Sequence, residues 1–157
     1  MNTNMAHKYT DIPAPNGYFA KQLPNNIDSL ALLTEALEIF AEQEGWNDAT
    51  VMQINLVLEE LLVNVIDNGY ADGRDGTIDI QIHSDAQTIT ICMSDDGDAF
   101  DPFVMADPDL SLAVEDRPIG GLGIYLVRSY MDGYAYCYSQ QHNQVTLTKH
   151  LPLSTAP

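Results

Sequence analysis

The chain has 157 residues, of which 45% are hydrophobic, so it is long enough to bury the core of a single domain. Its 23 acidic residues outnumber 6 lysines and arginines, and the formal net charge of -17 excludes direct nucleic-acid binding as an expected function, because phosphate backbones bind cations. The charge instead predicts a solvated acidic surface. The more specific alternative is a surface that binds a basic protein partner.

Neither a membrane segment nor a disulfide framework is expected. The chain contains no uninterrupted apolar run of about 18 residues, the length that a membrane helix needs. Residues 1–11 lack the basic and apolar regions of a signal peptide. Cys92 and Cys137 lie in alternating apolar runs and are too few for a structural zinc site. We therefore expect a cytoplasmic protein without membrane contact, with both cysteines reduced and in the core.

The first part of the chain predicts a tail, a strand and a helix. Residues 1–16 contain two prolines and no periodicity, which indicates a flexible tail before a domain of residues 17–153. A first strand is expected at residues 18–23. Asp28 could cap a helix that ends near Gly45. Its apolar positions recur at helical spacing: Leu30, Leu33, Leu37 and Phe40.

A second helix and a hairpin follow. The helix is capped by Asp48 in this interpretation and ends near Gly69. It carries one apolar stripe: Val51, Ile54, Leu58, Leu61 and Val65. Two alternating runs, 77–83 and 88–93, are joined by the turn-forming residues 84–86 and predict an antiparallel hairpin.

The last part of the chain predicts a third helix over 124–131 and a second hairpin, with strands at 134–138 and 144–151. The order of elements favours helices packed on one face of a mixed, mostly antiparallel sheet over a series of βαβ units. The predicted fold class is therefore a two-layer α/β (α+β) sandwich.

Polar residues on the second helix form the first candidate site. At about 100° per residue, Glu60 and Asn64 lie about 40° apart, away from the stripe that contains Leu58 and Val65. A carboxylate and a carboxamide one turn apart could hold a magnesium ion or a nucleophile beside a bound phosphate, because magnesium takes few of its oxygen ligands from protein. The alternative is a polar helix face that is only solvated.

A second candidate follows a predicted strand. Asp95-Asp96-Gly97 ends an apolar run, where glycine allows close approach of a ligand to the backbone. A carboxylate in this place can accept a hydrogen bond from an exocyclic amine such as that of adenine. An ordinary strand-to-loop turn is the alternative, because Asp and Gly are common in turns.

A glycine cluster precedes the third helix. Gly120-Gly121-Leu122-Gly123 contains no lysine, so it is not a Walker loop, and no predicted strand comes before it as in a dinucleotide-binding fold. It could present backbone amides to a phosphate at a helix N-terminus, or act as a hinge without a ligand. Arg117, just upstream, could reach a terminal phosphate or pair with a surface acid.

The order and spacing of these motifs resemble one family. The chain looks like the GHKL ATPases, which share the Bergerat fold, in three segments: Glu60 to Asn64 with Asn68-Gly69-Tyr70, Asp95 to Pro102, and Arg117 to Gly123. Within that superfamily it is similar to the anti-sigma-factor serine/threonine kinases, in the FDP step and in the RPIGGLGI segment. The similarity extends from about Leu23 to Leu151.

The resemblance implies a role for each matching residue. Glu60 would be the general base towards a partner's serine hydroxyl, Asn64 the magnesium ligand and Asp95 the adenine anchor. ATP and magnesium are the implied cofactors. Residues 103–119 would form a mobile lid that excludes water. The implied nucleotide-binding residues are Asn64, Asn68, Asp95, Gly97, Ala99, Phe100, Arg117, Gly120, Gly121, Leu122, Gly123 and Asn143.

Three positions depart from the family pattern. Ala99 stands where many relatives carry a second glycine, and Asp67-Asn68 where relatives often have a basic residue or histidine. His142-Asn143 replaces the Gly-Thr that usually starts the last strand, in which the threonine helps to hold adenine. Asn143 could substitute for that threonine by hydrogen bonding.

Two functions follow from the resemblance. The first is phosphoryl transfer from ATP to a serine or threonine of a small anti-sigma-antagonist protein of the STAS type, in a partner-switching system. The second is a nucleotide-gated module that sequesters a sigma factor or another regulator with little or no transfer. Retention of both Glu60 and Asn64 favours the enzyme, and a homodimer is compatible with either function.

Overall fold

The computed structural model describes residues 17–104, 109–113, 115 and 122–153. The predicted tail, residues 1–16, lies outside the described residues. All the predicted helices and strands are present, with ends that differ by one or two residues. In chain order the elements are β1 (Tyr18–Pro24), α1 (Ser29–Glu44), α2 (Asp48–Asn68), β2 (Thr77–Ser84), β3 (Thr88–Asp95), a 3-10 helix (Pro102–Val104), α3 (Leu122–Tyr130), β4 (Gly133–Ser139) and β5 (His142–His150).

The five strands form one sheet in the order β1-β2-β3-β5-β4. The predicted two-layer α+β class is confirmed. All four pairings among the described residues are antiparallel, so this part of the sheet is wholly antiparallel rather than mixed. Because β5 runs antiparallel to β3, the start of β5 is next to the end of β3, and Asn143 is opposite Asp95.

Alternation along the strands gives the sheet one apolar and one polar face. Five isoleucines of β2 and β3 are completely buried on the apolar face: Ile78, Ile80, Ile82, Ile89 and Ile91. Cys92 belongs to the opposite face and is half-buried, and Cys137 is exposed. The expectation that both cysteines are core residues was therefore wrong, because the period of two turns them away from the isoleucines.

Helix α2 is the central helix of the core. It has 21 residues, and an 18-residue window within it has a mean hydropathy of 1.5, so by length and composition alone it could cross a membrane. The core helix of a soluble domain passes the same test, and the apolar stripe of α2 packs into the hydrophobic core through Ile54, Val57, Leu58, Leu61 and Leu62. The same packing turns the opposite side of the helix, with its polar residues, away from the core.

The caps of the first two helices differ from the prediction. Asn47, and not Asp48, caps α2, because its Oδ1 accepts a hydrogen bond from the backbone N–H of Thr50 at 2.8 Å. Asn47 has extended backbone geometry, with φ -73° and ψ 163°, which aims its side chain at the first turn. Asp28 stands at the N-cap of α1, but its side chain makes no capping hydrogen bond.

Asn47→Ala should lower the free energy of unfolding by about 1 kcal/mol, because the Thr50 amide loses its side-chain acceptor. Asp28→Ala is the matched control and should cause a smaller loss, since that side chain makes no capping hydrogen bond. Urea denaturation followed by circular dichroism measures both. Equal losses in the two variants would contradict the assignment of Asn47 as the cap.

Candidate functional site

Candidate residues from three separate elements meet at one pocket. The pocket lies between α2 and the strands β3 and β5, and its polar lining residues are Asn64, Asp95 and Asn143. The rest of its lining is apolar: Leu61, Val65, Met93, Phe100, Pro102 and Val145. Its volume is about 20 Å³, which is room for about one water molecule. A planar ring the size of a purine would fit only after part of the wall moves.

A wider depression of about 720 Å³ lies at the other end of β3. It is an open groove on the surface, lined by Gly17, Tyr18, His83, Ser84, Asp85, Thr88 and Thr90. None of these residues belongs to the predicted site. We therefore place the candidate site at the narrower pocket, where buried polar groups converge on apolar walls.

Asp95 is the acidic residue of the pocket and is only 4% exposed. Its Oδ1 accepts hydrogen bonds from the backbone N–H of Gly97 and from Nδ2 of Asn143, each at 2.9 Å. Burial raises the pKa of Asp95 above its usual value, although both hydrogen bonds act in the opposite direction. Because the hydrogen bonds from described residues both end on Oδ1, Oδ2 is the oxygen left for a ligand.

Two glycines allow the loop after α2 to cross the loop after β3. A Cβ atom on Gly97 would lie 2.9 Å from both Asp95 Oδ1 and the Cα of Gly69. The backbone N–H of Asp98 donates to the Gly69 carbonyl at 2.7 Å. The position of a Cβ atom at Gly97 is therefore occupied by the Gly69 backbone and by the Asp95 carboxylate, while the expected approach of a ligand to the Gly97 backbone stays a prediction.

Arg74 and Tyr70 tie the same two loops together. The Arg74 guanidinium pairs with Asp72 at 2.8 Å and with Asp98 at 3.0 Å, and lies 5.2 Å from the centre of the Tyr70 ring. The Tyr70 hydroxyl donates to Asp96 at 2.6 Å, and burial together with this carboxylate raises the pKa of Tyr70 well above its usual value. Sequence reasoning assigned no role to either side chain, although Arg74 is one of only 6 cations in the chain.

Glu60 and Asn64 lie one turn apart on α2, and both are half-buried. Asn64 lines the pocket, and Glu60 lies beside the first turn of α3. A Cβ atom on Gly123 would be 2.5 Å from Glu60 Oε2, so glycine is needed for this approach. Burial, followed by the charge of Glu59, raises the pKa of Glu60. A carboxylate with a raised pKa is a stronger base.

The remaining predicted residues have several locations. Asn68 is exposed at the end of α2 and donates a hydrogen bond to the Asn64 carbonyl at 2.9 Å. Ala99 is exposed in the loop after β3, and Phe100 is half-buried next to it. Leu122 begins α3. The following predicted residues lie outside the described part of the chain: Arg117, Gly120, Gly121 and, from the proposed lid, 105–108, 114 and 116–119.

The donor set near α2 fits magnesium that arrives with a nucleotide. Asn64 offers a carboxamide oxygen and Glu60 a carboxylate. Among the described residues there is no group of three or more His, Cys, Asp or Glu side chains that could hold a metal by itself. Magnesium in nucleotide sites takes most of its ligands from phosphate and water, so one or two protein oxygens suffice.

Gly97→Ala should destabilise the fold by about 1 to 3 kcal/mol, the usual range for overpacking, because the added methyl group would collide with Gly69 and Asp95. Gly133→Ala is the matched control, because its nearest contact would be 3.5 Å from the Thr148 side chain. Thermal unfolding of both variants measures the difference. If Gly97→Ala were as stable as the wild type, the crossing of the two loops would be wrong.

Three comparisons relate the chain to known proteins. Residues 23–149 match the family described as histidine kinase-like ATPase domain. The serine/threonine-protein kinase BtrW of Bordetella bronchiseptica is 26% identical over 114 residues, which cover 73% of this chain and 80% of that protein. The serine-protein kinase RsbW of Bacillus subtilis is 25% identical over 141 residues, which cover 85% of this chain and 86% of that protein.

The fold also matches a solved structure, that of the RsbU and RsbW domains of Rv1364c from Mycobacterium tuberculosis. The TM-score is 0.59 at 14% sequence identity, and the match covers 92% of this chain. This chain spans 36% of that longer chain. At this level of identity the likeness concerns the fold alone.

Proposed function

This chain belongs to the histidine kinase-like ATPase domain family, and from that premise we propose that it is an ATP-binding serine/threonine kinase of the anti-sigma type. Its substrate would be a small anti-sigma-antagonist protein of the STAS type, and a sigma factor would be its second partner in a partner-switching system. The observation that carries the proposal is the convergence of Asp95 with the Glu60 and Asn64 face of α2 at one end of the sheet. The names of the similar BtrW and RsbW proteins, both serine kinases, support it.

Asp95 accounts for a preference for adenine. An ionised carboxylate only accepts hydrogen bonds, so Oδ2 would take the exocyclic amine of adenine and would repel the carbonyl oxygen of guanine or hypoxanthine. The apolar side chains of Val65, Met93 and Val145 would cover the faces and edges of the ring. A buried site of this kind discriminates strongly, since the wrong base leaves a buried charge unpaired.

Glu60 and Asn64 account for transfer. Magnesium bound with ATP would neutralise charge on the phosphoryl group that is transferred, and the Asn64 carboxamide oxygen would hold the ion. Glu60 would accept the proton of the partner's serine hydroxyl, for which its raised pKa is suited. Gly123 allows the N-terminus of α3 to lie against Glu60, and the backbone amides of a helix N-terminus favour phosphate.

Asp95→Asn should lose most ADP binding yet retain or gain stability at neutral pH. The pKa of Asp95 is raised in the folded state, so its stabilising contribution is present below the unfolded pKa and is lost as pH rises through the folded pKa. Asparagine keeps an acceptor for Gly97 and Asn143 but places a second donor against the adenine amine. We expect at least about tenfold weaker binding by calorimetry. Unchanged ADP affinity would contradict the assignment of the base pocket.

Glu60→Gln should bind ATP like the wild type and lose about 10² to 10⁴ in the rate of transfer, the usual contribution of a general base. Glu38→Gln is the matched control, because Glu38 is exposed on α1, whereas the charge of Glu59 itself raises the pKa of Glu60. The assay incubates each protein with ATP, magnesium and a candidate antagonist protein, and follows phosphoserine by mass spectrometry. Equal transfer by the Glu60 variant and the wild type would remove Glu60 from the mechanism. Binding of ATP without transfer by the wild type would favour the nucleotide-gated binding module.

A further inference from the structure

Asn143 is the second residue of β5 and is only 5% exposed. Its pairing with Asp95 across the sheet places the two side chains together on the apolar face. Nδ2 of Asn143 donates to Asp95 Oδ1 at 2.9 Å and to the carbonyl oxygen of Asp98 at 2.9 Å. Asn143 therefore contacts both the carboxylate of the pocket and the loop that follows β3.

The carbonyl oxygen of the same side chain is also in use. Oδ1 of Asn143 accepts the backbone N–H of Phe100 at 3.0 Å and the hydroxyl of Tyr136 at 2.5 Å. A carboxamide has two N–H donors and an oxygen that accepts two hydrogen bonds. All four positions are filled by protein groups. A base that entered the pocket would find no unused hydrogen-bonding group on Asn143.

We propose that Asn143 is a positioning residue for nucleotide binding, which fixes the Asp95 carboxylate and holds residues 97–100 beside it without contacting the base. The inference rests on the proposed ATP-binding function. It assigns Asn143 a different role from that of the family threonine, which helps to hold adenine.

The two ends of the amide act on different parts of the site. The Nδ2 end, with the Gly97 amide, supplies both hydrogen bonds to Asp95 Oδ1. This orientation leaves Oδ2 for the ligand. The Oδ1 end holds the backbone of Phe100, a residue whose side chain forms part of the pocket wall. The Phe100 N–H and the Asp98 carbonyl select the orientation of the amide, because a flipped amide would place an N–H group against the Phe100 donor and its oxygen against the Asp98 acceptor.

The chemistry explains why asparagine suits this position. A threonine has one hydroxyl donor and could not bond both Asp95 and Asp98. An aspartate would place a second carboxylate 2.9 Å from Asp95 Oδ1, where one of the two must bind a proton. The protonated form of such a carboxyl group keeps an acceptor for Phe100 and Tyr136 and one donor for Asp95, but it has no donor for the Asp98 carbonyl.

The test therefore uses Asn143→Asp and Asn143→Ala, with ADP and magnesium as the probe. Asn143→Ala should weaken binding by about tenfold to a hundredfold, the usual effect of leaving buried polar groups unpaired. Asn143→Asp should weaken binding less than Asn143→Ala while the introduced carboxyl group is protonated, because only the hydrogen bond to the Asp98 carbonyl is then lost, and it should bind progressively less well as pH rises. The wild type is titrated over the same range, because His142 and Asp96 also influence the Asp95 carboxylate. Equal pH profiles for this variant and the wild type would overturn the proposal.

Hydrogen exchange of the Phe100 amide gives a readout that does not require a nucleotide. Asn143→Ala should speed this exchange, whereas a residue that only contacted the base would leave it unchanged, which is the overturning result. Tyr136→Phe should speed the same exchange by a smaller factor and is available if Asn143→Ala fails to fold. Tyr138→Phe, an exposed tyrosine of the same strand, is its control. If the wild type binds no ADP, the proposed function fails, while the exchange result still decides whether Asn143 holds the loop.

Discussion

The antiparallel pairing of β3 with β5 is the constraint on which the candidate site depends. The chain leaves β3 at Asp95 and returns to it only in the last strand, so the pairing alone sets which residue lies beside that carboxylate. The register is fixed by the buried pairs Ile91 with Leu147 and Met93 with Val145. A slip of one residue would move the whole apolar set of β5 to the solvent face and Asn143 with it. The hydrophobic core therefore determines the hydrogen bonds of the site.

The same arrangement makes the site energetically costly. Asp95 is buried in a chain whose net charge is already -17, and its burial disfavours the ionised form that a nucleotide amine would need. Glu60 also has a raised pKa, from burial and from Glu59. Both shifts oppose folding at neutral pH, since the folded state holds each proton more tightly than the unfolded chain does. Strained or destabilised groups of this kind are typical of functional sites rather than of structural ones.

Much of this structure could be predicted from the sequence, because it depends on periodicity. The helical stripe of α2 predicts that Glu60 and Asn64 share a polar face, and alternation along β3 predicts that Asp95 follows a buried strand. The alternation along β3 also predicts that Cys92, which is out of phase with Ile91, lies on the opposite face of the sheet. The expectation that Cys92 is a core residue did not take this alternation into account. The α2 cap could not be decided in this way, because the neighbouring residues Asn47 and Asp48 are both good caps and only the backbone geometry separates them.

Contacts between distant loops were beyond the reach of sequence reasoning. Arg74 lies 24 residues from Asp98, and Asn143 lies 43 residues from Phe100. Neither separation corresponds to a helix or strand period. The proposed positioning role of Asn143, in place of the base contact made by the family threonine, could not be predicted from the sequence for the same reason. An asparagine in place of threonine indicates a polar contact, but which groups it bonds depends on how three strands and the loop after β3 meet.

These contacts also indicate which part of the pocket wall is held most firmly. The backbone between Asp96 and Asp98 is held from one side by Arg74 and Gly69 and from the other by Asn143, and Tyr70 holds the Asp96 side chain. The Phe100 backbone is fixed by Asn143, but its side chain and Pro102 form the wall of a cavity of only about 20 Å³. The proposed binding of a purine ring would need part of this wall to move, and the backbone beside Asp95 is the part held by the most hydrogen bonds. The Phe100 side chain and Pro102 are not part of the hydrogen bonds of Asp95, so a wall that moved at these two residues would leave those hydrogen bonds intact.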